Sequence, residues 1–99
     1  MELKDTVEGM TSPDYKERFK AEYRQTKIRY EKLKKFCNKI EAAEFTQSEA
    51  PKHDCPLMLL RDQQRHMGEY LHVLGIRPCA VAGHEEALEG NRASVLRFA

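Results

Sequence analysis

Two stretches of the chain carry core-type positions at alternating steps of three and four. In the first, Phe19, Tyr23, Thr26, Tyr30, Leu33, Cys37 and Ile40 follow one another at this spacing. In the second, Leu57, Leu60, Gln64, Met67, Leu71 and Leu74 do the same. An average step of 3.5 keeps one stripe of an α-helix facing one partner, so both stretches read as helices with heptad a and d seams. Ser12-Pro13 supplies a start signal for the first helix, and neither Gly nor Pro interrupts it up to about Ala43. Glu44 to Asp54 reads as a loop, Asp54-Cys55-Pro56 as a second start, and the second helix is expected to run to about Gly75. Pro78 stops it, because proline lacks the amide donor and its ring collides with the preceding turn. Residues 1–12 have no periodicity and read as a flexible N-terminal arm. The expected organisation is therefore this arm, a helical hairpin over residues 13–77, and a tail over 78–99 to which the pattern assigns no structure.

A short loop between two seamed helices makes them antiparallel neighbours. Folding about it pairs Ile40 with Leu57, Cys37 with Leu60, Leu33 with Gln64, Tyr30 with Met67, Thr26 with Leu71 and Tyr23 with Leu74. The predicted fold class is all-α, a coiled-coil-like two-helix hairpin. One seam buries too little apolar surface to offset the entropy of ordering the chain around it. A second apolar strip, Ile28, Phe36, Leu59, Tyr70 and Val73, lies off the seam and predicts burial against other copies of the chain. An oligomer is expected.

Composition changes this picture in one respect. The net charge is +1, yet residues 15–40 hold ten basic residues against three acidic ones, a net of +7, which leaves −6 for the rest. A basic helix on an otherwise acidic chain points to an anionic partner. No apolar run approaches the ~18 residues of a membrane span, and the opening Met1-Glu2-Leu3-Lys4-Asp5-Thr6 has no secretory apolar block. The three cysteines, Cys37, Cys55 and Cys79, form no CxxC pair or disulfide framework. Together these features predict a cytoplasmic protein without membrane contact.

The basic residues are ordered. Lys20, Lys27 and Lys34 recur every seventh position on one flank of the first helix. The facing flank of the second helix carries Arg61, Gly68 and Gly75, so the lysines are expected beside Arg61 and two positions without side chains. An anionic, planar or cyclic ligand would suit that flank, although a solvated lysine face and close packing at glycine explain the same pattern. The opposite flank reads as structural, with Glu22 facing Arg77 and Arg29 facing Tyr70. Tyr15, Phe19 and Tyr23 alternate with Lys16, Arg18 and Lys20, the interleaving used to stack bases and neutralise phosphates. Phe19 and Tyr23 also belong to the seam, whereas Tyr15 lies off it. His53, Cys55, His66 and His72 do not assemble a zinc-ligand spacing. No phosphate loop, carboxylate pair or activated nucleophile appears, so neither enzymatic activity nor a metal or other cofactor is expected.

Tyr30-Glu31-Lys32-Leu33-Lys34-Lys35-Phe36 on the first helix resembles the signature of small helical-hairpin proteins of gut bacteriophages. So does the second-helix run from His53-Asp54-Cys55-Pro56 through Leu59-Leu60-Arg61, Gln63-Gln64 and Met67-Gly68-Glu69-Tyr70-Leu71 to Leu74. Those proteins are in turn similar to the hairpin domain of phage anti-CBASS and anti-Thoeris proteins. The resemblance covers roughly residues 15–74. It implies a sponge: a hexamer that sequesters cyclic nucleotide or cyclic ADP-ribose signals of bacterial immunity, in the host cytoplasm, without cleaving them. It also implies pockets between protomers, with an aromatic stacking on a base and a first-helix basic residue on phosphate. Lys34 matches that basic position. The remaining candidate ligand residues are Arg61, Lys27, and the aromatics Tyr15 and Phe19. The tail departs from the pattern at Gly75-Ile76-Arg77-Pro78-Cys79.

Two other classes compete with the sponge. One is a helical interaction or assembly adaptor of a phage, docking an acidic protein through its basic helix. The other is nonspecific nucleic-acid binding, ranked last because the net charge is near zero and no base-reading motif is present.

Overall fold

A computed structural model describes residues 1–77, and the tail expected over 78–99 lies outside the described residues. Among the described residues the secondary structure is entirely helical. A 3-10 turn at Leu3–Thr6 leads into a one-turn helix α1 at Val7–Met10, followed by α2 at Tyr15–Thr46 and α3 at Leu57–Ile76.

The long helix begins at Asp14, not at Ser12-Pro13. The Asp14 carboxylate accepts from the amide of Lys16 at 3.0 Å, and Ser12 Oγ in turn accepts from the amide of Asp14 at 3.1 Å. A carboxylate here satisfies an otherwise orphaned donor and also complements the positive end of the helix dipole. The helix ends one turn later than the spacing suggested. Gln47 takes a left-handed conformation (φ 55°) and its amide donates to the carbonyl of Ala43, as does the amide of Ser48 at 3.0 Å. A left-handed residue closing the last turn is the usual helix-ending device. Pro56 precedes α3, and its carbonyl accepts from the amides of Leu59 and Leu60.

Contacts between α2 and α3 follow the seam. Phe19, Tyr23, Leu71 and Leu74 form one buried cluster, with Tyr30 packed against it. Towards the loop, Cys37 and Ile40 are fully enclosed. Tyr30 lies against Gly68, one residue from the partner expected for it, and Arg61 reaches back to Asn38 and Glu41. No helix of the described residues is long and apolar enough to cross a membrane.

The segment read as a flexible arm is folded onto α2. Its 3-10 turn is closed reciprocally by Glu2 and Asp5, with the amide of Glu2 donating to Asp5 Oδ2 at 2.8 Å. The Thr6 hydroxyl donates to the carbonyl of Leu3, and Thr6 itself is buried, at 4% exposure. Gly9 allows the close approach: a Cβ there would stand 2.8 Å from Cβ of Ala21. Four-residue elements are too short to show a period, which is why the pattern misses them.

Candidate functional site

The lysine flank of α2 is exposed as expected. Lys27 and Lys34 both face solvent, and among the described residues neither enters an ion pair. Lys20 is half-buried and pairs with Glu17 at 3.5 Å. Seven residues separate Lys27 from Lys34, about 10 Å along the helix, which suits a ligand carrying two phosphates or a wide ring.

Arg61 is occupied differently from the expectation. Its guanidinium donates to Glu41 at 2.6 Å, to Asn38 at 3.0 Å and to Gln64 at 2.6 Å. Arginine offers five N–H donors; two of these bonds hold α3 to α2, and the third, to Gln64, stays within α3. The glycines do not leave a vacancy. The ring of Tyr30 fills the place opposite Gly68, where a Cβ would lie 3.2 Å from Tyr30 Cε1, and Gly75 is buried. Gly68 therefore serves close helix packing, the second of the two readings its spacing allowed.

The two aromatic candidates part company. Tyr15 is 58% exposed and free to stack. Phe19 is 5% exposed, and the guanidinium of Arg77 lies over its ring, 4.5 Å from the centroid. A buried ring with one face already covered is a core residue, not a stacking platform for a base. Its burial accords with the seam position that its spacing also gave it.

The expected structural flank is shifted. Arg77 sits over Phe19, and Glu22 accepts a hydrogen bond from the hydroxyl of Tyr70. That bond is the main cause that raises the Tyr70 hydroxyl above its ordinary pKa of 10.0; burial and the negative charge of Glu22 add to it, while Arg77 opposes.

Three concavities bear on ligand binding. One, of about 340 Å³ between the N-terminal segment and α2, is lined by Asp5, Glu8, Glu17 and Arg24, a predominantly acidic wall that disfavours phosphate. A second, of about 420 Å³, has a floor of Val7 and Met10 flanked by Lys4 and Arg29, without an aromatic. The third, of about 340 Å³, lies where α2 begins and α3 ends, and brings Tyr15 together with Arg18, Glu22 and Arg77. Among the described residues no group of three or more His, Cys, Asp or Glu side chains is placed to hold a metal ion. His53 instead shares a 2.6 Å hydrogen bond with the carbonyl of Cys55 and meets Phe36 edge to face, with ring centroids 6.4 Å apart.

The candidates do not converge within one chain. Tyr15 and Lys34 are nineteen residues apart on a single helix, about 28 Å, too far for one small ligand to touch both. A family model described as Sequestin matches residues 13–78, from just before α2 to just after α3. Neither the curated proteins nor the solved structures contain a significant match.

Proposed function

The chain belongs to the Sequestin family, and from that membership and the exposed lysine row of α2 we propose that it is a phage immune-evasion sponge. It binds a cyclic nucleotide or cyclic ADP-ribose-type signal in the host bacterial cytoplasm and holds it without cleavage. A family named for sequestration fits a protein that removes a ligand by occupying it. The observation that carries the reading is the pair Lys27 and Lys34, exposed and without an acidic partner among the described residues. Two uncompensated charges on a rigid helix form a ready anion site, and their attraction for phosphate is not reduced by a competing carboxylate.

The working unit of this proposal is the α2–α3 hairpin assembled into an oligomer, a hexamer. Leu59, Tyr70, Val73 and Ile76 leave α3 with exposed apolar surface that a second copy would cover. Assembly also resolves the distance between Tyr15 and Lys34, since a ligand lying between protomers can meet one residue from each. Retention without turnover follows from the chemistry of the flank, where lysines neutralise phosphate but no base or nucleophile is paired to attack it.

Native mass spectrometry of the full chain against cyclic dinucleotides, cyclic trinucleotides and cyclic ADP-ribose isomers reads assembly and ligand together. The proposal expects a defined oligomer that gains the mass of at least one panel member. An oligomer that binds none of them, but captures an acidic protein in a salt-sensitive complex, would instead establish the adaptor reading.

A further inference from the structure

The groove at the junction of α2 and α3 combines three features that the lysine flank lacks: an exposed aromatic ring, two arginines, and a concave floor. Arg18 is anchored, with Nη1 donating to the carbonyl of Ser12 at 2.7 Å. That contact uses one of its five donors and holds the guanidinium at the groove wall. Arg77 is anchored by stacking over Phe19, at 4.5 Å from the ring centroid. Stacking occupies the face of a guanidinium and leaves its in-plane N–H edge available for a bidentate acceptor. Among the described residues neither arginine enters an ion pair. Glu22, the carboxylate nearest to hand, is engaged by the hydroxyl of Tyr70. Two arginines pre-positioned in this way pay little rotamer entropy on meeting a phosphate.

We propose that this groove is a nucleotide subsite in which Arg18 and Arg77 clamp a phosphodiester or pyrophosphate and Tyr15 stacks on the attached base. Glu22 lines the same groove and presents an acceptor to a ribose hydroxyl or a base N–H. The subsite rests on the nucleotide-binding reading above and deepens it, because it places the recognition of base and phosphate at this end of the helix pair. Lys34 of a neighbouring copy then supplies charge from the other side of the ligand. The site draws one arginine from the first turn of α2 and the other from the residue after α3, so it exists only when α3 is folded back along α2.

Isothermal titration of the full chain with cyclic diguanylate, cyclic UMP–AMP, cyclic triadenylate and cyclic ADP-ribose tests the assignment. For whichever of these binds the unaltered protein, Arg18→Ala, Arg77→Ala and Tyr15→Ala are each expected to weaken binding at least tenfold. Arg77→Lys should recover only part of the loss, because an ammonium keeps the charge without the fork. Far-UV circular dichroism monitors folding. If Arg77→Ala melts the protein by uncovering Phe19, the exposed variants Arg18→Ala and Tyr15→Ala decide the matter. Binding by the unaltered protein with every variant within twofold would overturn the subsite and leave the sponge intact. No binding of any probe by the unaltered protein would overturn both.

Discussion

Arg61 on α3 reaches the carboxylate of Glu41 on α2 at 2.6 Å, and the same guanidinium also binds Asn38 and Gln64. A residue whose position on the basic flank suggests ligand binding is therefore a clasp between the two long helices. Arg61→Ala should lower unfolding free energy by about 1 kcal/mol, a modest figure because the pair is partly solvated. Urea titration measures it. The variant should bind ligand with less than a threefold change if its folded fraction is held constant.

Tyr70 and Glu22 make the second link across the pair, and this one is pH-sensitive. Folding raises the tyrosine above its ordinary value, first through the hydrogen bond to Glu22. The protonated form is favoured in the folded state, so the stabilisation is fully present below pH 10 and is lost as pH rises through the higher folded value. Thermal melts of the unaltered protein and Tyr70→Phe should differ by a constant margin from pH 7 to 9. The margin should shrink above pH 10. Because Tyr70 is 44% exposed, the expected difference is under about 1 kcal/mol.

Gly9 tests whether the N-terminal segment belongs to the fold. With Ala21 in the way, Gly9→Ala forces α1 off α2 or shifts the helix beneath it, at a cost of about 1–3 kcal/mol. Hydrogen exchange should report lost protection in residues 3–10 and retained protection in the middle of α2. Unchanged protection in residues 3–10 would contradict the docking described here.

The long helices are legible in the sequence because their seams repeat over many turns, so one misplaced residue hardly alters the pattern. Phe19, Tyr23, Cys37, Ile40, Leu71 and Leu74, all on the expected seams, are buried. Two kinds of feature escape such a reading. The turn at Leu3–Thr6 is held by side chain to backbone bonds between Glu2 and Asp5, which leave no period to detect. The space beside Gly68 is decided by the ring of Tyr30 on another helix, and spacing along one helix says nothing of how a ring on its neighbour turns. Arg18 and Arg77 lie 59 positions apart and gain significance only from the groove they share.

The exposed apolar face of α3 yields a prediction about assembly. Val73 is 51% exposed, so Val73→Glu should leave the helical content of the chain intact while reducing oligomer mass in sedimentation velocity. A charge placed in an apolar contact costs several kcal/mol when it is left unpaired. A folded monomer of the unaltered protein at high micromolar concentration would contradict the proposed assembly.

Lys34→Glu reverses a charge on the exposed flank without touching the seam. Loss of a charge-assisted phosphate contact is worth roughly 1.5–3 kcal/mol, and repulsion adds to it. Affinity should fall at least tenfold, with circular dichroism and oligomer mass unchanged.

The most direct measurement of the central claim is recovery of the ligand itself. The full chain is incubated with the cyclic nucleotide and cyclic ADP-ribose panel, separated from free ligand, heated, and the released material weighed by mass spectrometry. Sequestration predicts tight uptake of at least one member, with a dissociation constant below about 10 μM, or roughly 7 kcal/mol of binding, and release of that molecule with its mass and ring intact. Failure to retain any member at that affinity, or release of a linear or hydrolysed product, would contradict it.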